Sequence, residues 1–213
     1  MFQKYLDPII DHYTTGAYYA EVYRAKREYF EKAGLVHEDN PEYELRMNSF
    51  VDWYLYDRDL PGVDLPPIKH FFRKNRERMS PEEQTIHRDF CASNHSLFRL
   101  KRFSWDRKSI LVEDLFSQKV FTVSDPIISS GFARGDVFEA RLIPFRGSYE
   151  FSRAFCFHPP EMEAFILAEI KKVRFQDKSR QSKLILLLSA MKLKHLRYQH
   201  IAVEEAYRFD SKL

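Results

Sequence analysis

Between Leu97 and Phe157 the hydrophobic pattern changes period, and this change limits what the chain can fold into. The segments LFRLKRF, SILVED, KVFTVSD, DVFEARLIPF and YEFSRAFCF are rich in β-branched and aromatic residues and partly alternate. Turn signals separate them at Trp105-Asp106-Arg107, Phe116-Ser117-Gln118, Arg134-Gly135-Asp136 and Arg146-Gly147-Ser148. Short strands so closely spaced predict a small antiparallel barrel or curled sheet. Gly135-Asp136 reads as a tight turn into a long strand, along which Glu139 and Arg141 are expected to alternate outward or pair across strands.

The flanking segments carry a helical period. From about Thr15, the positions Tyr19, Val22, Tyr23, Tyr29, Phe30 and Ala33 recur at helical spacing, and Gly34 follows as a C-terminal cap. Asn40-Pro41 is expected to open a second helix, with Glu42 and Glu44 at the positive end of its dipole. A short helix is expected around 68–78. Ser80-Pro81-Glu82-Glu83 has the form of a capping box and predicts a helix running to about Ala92. After His158-Pro159-Pro160 the helical period returns through Met162, Phe165, Ile166, Ile170 and Val173. A basic, Leu-rich helix should follow from about Ser179 to Tyr198, then a short terminal piece. The expected fold is α+β: N-terminal helices (1–96), a central five-stranded antiparallel barrel-like module (97–158) and C-terminal helices packing back (159–213).

Hydrophobic residues make up 44% of the 213 and charged residues 31%, which is a folding composition and not a disordered one. Cys91 and Cys156 form no CxxC motif, a usage that fits a reducing cytoplasm. MFQKYLDPII has Lys4 and no continuous apolar run, so it does not read as a signal peptide. The apolar run Leu184–Leu188 is far short of the ~20 residues of a membrane span. KLILLLSAMKLKHL is apolar on most faces, which favours burial or dimerisation over membrane contact.

Charge is polarised along the chain. Residues 1–66 hold 7 basic and 13 acidic side chains, 67–110 hold 11 and 5, 111–170 hold 5 and 9, and 171–200 hold 9 and 1. One reading is that these segments face each other or water. The other is that 67–110 and 171–200 form a basic surface for nucleic acid or another polyanion. Under the second reading Lys101, Arg102, Trp105, Arg107 and Lys108 form a binding hairpin, with Phe103 and Trp105 placed to stack on bases. Under the first, the rings are core and the lysines solubilise.

Motifs for catalysis are scarce. No nucleophile elbow, Walker loop or GxGxxG occurs, and six glycines leave little for phosphate-cradling loops. Ser129-Ser130-Gly131 offers a serine without the elbow. His87, Cys91 and His95 are spaced for one helical face, but Asn94-His95-Ser96 looks like a helix end and no fourth ligand follows. No catalytic residue, metal site or cofactor is therefore assigned.

In NSFVDWYLYDRDL, the positions Phe50, Trp53, Tyr54 and Asp57 fall on one helical face. The rings are expected to be core, while Asp52 and Asp59 should face solvent. Asp57, at the end of the face, is expected to accept loop amides or pair with Arg99 or Arg141. Trp53, Asp57, Arg99 and Arg141 would then form a structural clasp between the helical part and the β module.

FVDWYLYD, SPEE, ASNHSLFRL, LVEDLFSQKVFTVSD and RGDVFEARLIP occur in an order that resembles a group of poorly characterised bacterial proteins, some with a C-terminal SEC-C zinc motif. The resemblance covers roughly residues 15–157 and implies architecture without an activity. The clustered Cys/His ligands of SEC-C are absent, so it implies no zinc-dependent role here. The run of strands also resembles PilZ domains, which bind cyclic dinucleotides through an Arg-x-x-x-Arg pair and an Asp-x-Ser-x-x-Gly turn. Here Arg102 is followed by Asp106, and the turn reads Asp114-Leu115-Phe116-Ser117-Gln118-Lys119, so neither motif is intact. The expectation is a non-catalytic cytoplasmic binding or adaptor protein with a protein partner or a second copy of itself. Nucleic-acid binding is the alternative, and a hydrolase without a recognisable motif the third reading.

Overall fold

The β4 strand (Val137–Phe145) is buried along nearly its whole length, and the other layers are arranged about it. The computed structural model describes residues 2–104, 106, 108–124 and 131–209. The sheet contains β1 (Asn94–Phe103), β2 (Ile110–Asp114), β3 (Val120–Val123), β4, β5 (Ser148–Phe151) and the two-residue β6 (Cys156–Phe157). Its order is β3-β2-β1-β4-β5, every pairing is antiparallel, and β6 pairs with β4. The sheet curls into a five-stranded half-barrel whose edges meet where Ser124 N donates to Tyr149 O at 3.2 Å. The Phe121 and Tyr149 rings meet edge-on at the same seam, 5.1 Å apart. Inside the curl Phe98, Leu100, Val112, Phe138, Ala140, Leu142 and Phe151 are buried. A register shift between Leu100 and Arg102 bends β1 around this core. The last predicted strand is thus two pieces, β5 and β6, joined by an irregular link.

The outer face of β4 is covered by helices. On the N-terminal side these are α1 (Gln3–Thr14), α2 (Tyr19–Ala33), α3 (Tyr43–Tyr56), α4 (Pro67–Asn75) and α5 (Pro81–Cys91). Tyr29, Phe50, Tyr54, Leu55, Ile86 and Phe90 pack there with Ile143 and Phe145 of β4. The α1 helix carries Pro8 in its interior, which removes one helical hydrogen bond and hides the helix from a pattern reading. Burial of Leu6, Ile9 and Tyr13 offsets that loss, and Tyr13 is held from both sides. Its hydroxyl meets His70 Nδ1 at 2.8 Å, and its carbonyl accepts from the Tyr54 hydroxyl at 3.0 Å. The second helix starts later than Asn40-Pro41 suggests. Asn40 instead closes a turn, its side chain accepting from Glu42 N at 2.9 Å. The capping box forms as its residues dictate: Ser80 Oγ accepts from Glu83 N, and Ser80 N donates to the Glu83 carboxylate at 2.8 Å.

On the C-terminal side α6 (Glu163–Val173), α7 (Lys178–Arg197) and the short α8 (Val203–Ala206) return to the sheet. The α7 helix packs against both α2 and β1, which explains its apolar surface: Leu184, Ile185, Leu188, Met191 and Leu193 are all buried. Among the described residues, no helix is long and apolar enough to cross a membrane.

His158, just beyond β6, ties this side together. It is buried, and its Nδ1 meets the Tyr207 hydroxyl at 2.9 Å. Burial, aided by Lys192 and Arg46 and opposed by Glu139, depresses its pKa to about 4. The unfolded chain therefore takes up a proton near pH 6.5 that the folded one refuses until about pH 4. Stability from this residue is full above pH 6.5 and lost as pH falls through that window, of the order of 3 kcal/mol in total. Unfolding free energies measured between pH 7 and pH 4.5 should fall with pH, and His158→Gln should flatten the slope; an unchanged slope would remove His158 as its source.

Candidate functional site

Strand alternation puts Phe138, Ala140 and Leu142 inside the curl and Glu139, Arg141 and Ile143 beneath the helices. Glu139 and Arg141 do point out of the barrel, but the helical layer buries them to 3% and 2% exposure. Two charges in such a place must be paired, because desolvating each ion costs several kcal/mol.

Arg141 is met by α3. Its Nη2 donates to Asp57 Oδ2, its Nη1 lies 3.4 Å from Ser93 Oγ, and its guanidinium sits 4.5 Å from the centre of the Tyr56 ring. Burial alone would lower the Arg141 pKa, but Asp57 and Asp52 outweigh it and keep the group charged. Asp52 lies one helical turn and a residue before Asp57, with Oδ2 3.8 Å from Arg141 Nε. Burial pushes its carboxyl above the usual range despite Arg141. Asp57 pairs with Arg141 as expected, but the expected exposure of Asp52 is not found. Asp52 was expected in solvent and is largely covered, its side chain only 13% exposed, while the paired Asp57 keeps 28%. The reason is that β4 passes over that side of α3, so the face flanking the aromatic stripe is also an interface.

Glu139 is met by β1 and α7. His95 stands opposite Arg141 in the β1–β4 register, and its Nε2 lies 2.9 Å from Glu139 Oε1. Its Nδ1 lies 3.8 Å from Asp57 Oδ2. The Ser189 hydroxyl donates to the other Glu139 oxygen. Burial resists ionisation of Glu139, but the hydrogen bond and attraction of His95, with Ser189 and Arg46, hold its pKa below the ordinary value. The result is one continuous chain of polar side chains, Asp52–Arg141–Asp57–His95–Glu139–Ser189, running from the helical layer through the sheet into α7.

This chain surfaces in a cleft of two connected chambers. The outer chamber has a volume of about 1020 Å³ and lies between the end of α3, the loop into α4 and the start of α7; Trp53, Leu65, Pro66 and Leu187 line it. The inner chamber, about 200 Å³, is floored by Arg141 and His95 and flanked by Ser93 and Asn94. Tyr56, Asp57, Lys69, Lys178 and Ser182 line both.

The other sequence candidates lie elsewhere. Arg99 pairs with Glu163 at 2.5 Å and Glu113 at 3.8 Å instead of with Asp57. Trp53 packs on Tyr29 at 5.4 Å and lines the outer chamber, flanked by Lys32 and Arg58. Lys101 is paired with Glu113 at 3.1 Å, Arg102 and Lys108 are exposed, and Phe103 packs against the barrel core. Trp105, Arg107, Ser129 and Ser130 lie outside the described residues. In the PilZ-like turn, Asp114 is spent on structure: it accepts from Ser96 Oγ, Asn94 Nδ2 and the amides of Phe116 and Ser117. His87 is packed among Phe71, Phe72 and Phe90, on a different element from His95. Among the described residues, no three His, Cys, Asp or Glu side chains are grouped to hold a metal. What the sequence reading lacked was the meeting of Lys69 with Lys178. Both lie in the basic segments found by charge counting, but nothing local singles them out.

An α+β protein with a polar cleft between its helical layers and a curled sheet is the class that this geometry defines. The chain belongs to a family of unknown function, DUF7986, whose model matches residues 9–194. The matched span includes every residue named in the cleft. No curated protein matches the chain, and no solved structure does.

The Asp57–Arg141 pair can be tested by its asymmetry. Asp57→Asn leaves Arg141 buried with a poorer partner and should cost about 1–3 kcal/mol in urea unfolding. The double variant D57N/R141M removes both charges of the pair and should recover part of that loss, the remainder reflecting Asp52, which also faces Arg141. Losses that simply add would show that the two side chains are not coupled.

Proposed function

We propose that the protein is a non-catalytic binding module whose working surface is the two-chamber cleft. The observation that carries this reading is the cleft itself, which at about 1020 Å³ reaches the size of small-molecule sites and mixes apolar walls with convergent polar groups. The polar chain behind it supports binding over catalysis. Ser189 is fully buried and donates to Glu139, Glu139 is also held by His95, and Asp57 is committed to Arg141. None of these groups stands free as a nucleophile or base. A reducing compartment such as the cytoplasm suits the two free thiols of Cys91 and Cys156. The bacterial group it resembles adds architecture to this reading and no chemistry. Nucleic-acid binding through the Lys101–Lys108 hairpin has less support, since Lys101 is neutralised by Glu113 and Phe103 packs inward.

Ser182 lines both chambers, so Ser182→Tyr should plug the cleft without disturbing the layers behind it. A thermal-shift screen of small metabolites should yield compounds that raise the melting temperature of the native chain and not that of S182Y. Compounds that stabilise both chains equally would place the binding surface elsewhere.

A further inference from the structure

Resting on the binding reading above, we infer that the inner chamber is an anion subsite that takes the dianionic head of a phosphomonoester. Three cations from three separate elements line it: Lys69 of α4, Lys178 of α7 and Arg141 of β4. Asp57 is the carboxylate lining it, and it is already neutralised by Arg141. Three cations and one carboxylate give the lining a net charge of two positive, before any contribution from His95. A phosphomonoester near pH 7 carries about the opposite charge.

The donors in the chamber are not used up. Some lysines are matched to carboxylates, Lys32 with Glu28, Lys101 with Glu113 and Lys172 with Glu169. Lys69 and Lys178 make no ion pair among the described residues, and Lys178 Nζ reaches only the neutral Asn94 Oδ1 at 3.2 Å. Arg141 is almost wholly buried, yet its Nη1 has only the 3.4 Å contact to Ser93 Oγ, while its Nε faces Asp52 Oδ2 at 3.8 Å. A buried guanidinium with spare donors is the group best suited to a phosphate oxygen, because its planar fork holds oxygens in fixed geometry. Ser93, Asn94 and Ser182 add neutral polar groups around it.

The sizes of the two chambers divide the ligand. About 200 Å³ admits a phosphate head and little more. The body of the molecule then lies in the outer chamber, against Trp53, Leu65, Pro66 and Leu187.

The test is calorimetric titration of the full chain with inorganic phosphate at low ionic strength. The expected result is saturable binding at one site, weakened about tenfold by Lys69→Gln and by Lys178→Gln. Both lysines are exposed, so the variants should keep the native melting temperature. Lys101→Gln, roughly 20 Å from His95 along β1, should leave the affinity unchanged. Absence of saturable binding overturns the subsite, and so does an equal loss in all three variants. A cleft that captures uncharged metabolites and ignores phosphate overturns the anion subsite and leaves the binding reading standing. A cleft that captures neither overturns both.

Discussion

Burial of β4 on both of its faces governs how the rest of the chain is arranged. One face closes the curled sheet and is wholly apolar at Phe138, Ala140 and Leu142. The other places Glu139 and Arg141 under the helices, where bulk water does not solvate them. Each charge must then find a counter-group within the protein. Arg141 draws on the C-terminal end of α3, and Glu139 draws on β1 and α7. A hydrophobic pair at these positions would pack as well and would not specify which helix end meets which strand. Removing either partner would leave a buried charge uncompensated, which ties the C-terminal end of α3 to β4.

The same chain explains where the cleft lies. Asp57 is the most exposed member of the chain, so the buried network reaches the surface beside the end of α3. The loop into α4 and the first turns of α7 frame that opening. Lysines from two distant segments converge over a charged floor already neutralised internally. Arg141 and Asp57 hold the layers together, while Lys69 and Lys178 carry no carboxylate partner among the described residues.

Most of the local structure was legible in the sequence because its causes lie within a few residues. The Ser80–Glu83 capping box, the turn at Gly135-Asp136, the switch of hydrophobic period near Leu97 and its return after His158 each depend on neighbours in the chain. The exceptions were also local. Pro8 masked α1, whose cost is offset by side chains of α3 and α4 packing on Tyr13, and Asn40 closed a turn where a helix cap was expected. The pairing of Asp57 with Arg141 was within reach of the sequence because Asp57 ends an aromatic helical face, and such an acid needs a cation.

The sequence by itself determined most of the elements after α1, their order, the α+β class and the presence of two basic segments. Only the tertiary structure decided which charges are buried and which converge. Asp52 looks like any surface acid until β4 is laid across it, and Lys69 and Lys178 have no relation until α4 and α7 meet at one cleft. The physical reason is the range of the forces involved. Helical period, capping and turn chemistry act over three or four residues. Desolvation and charge pairing act through space, here between residues 84 positions apart in the chain, and so depend on how the layers pack.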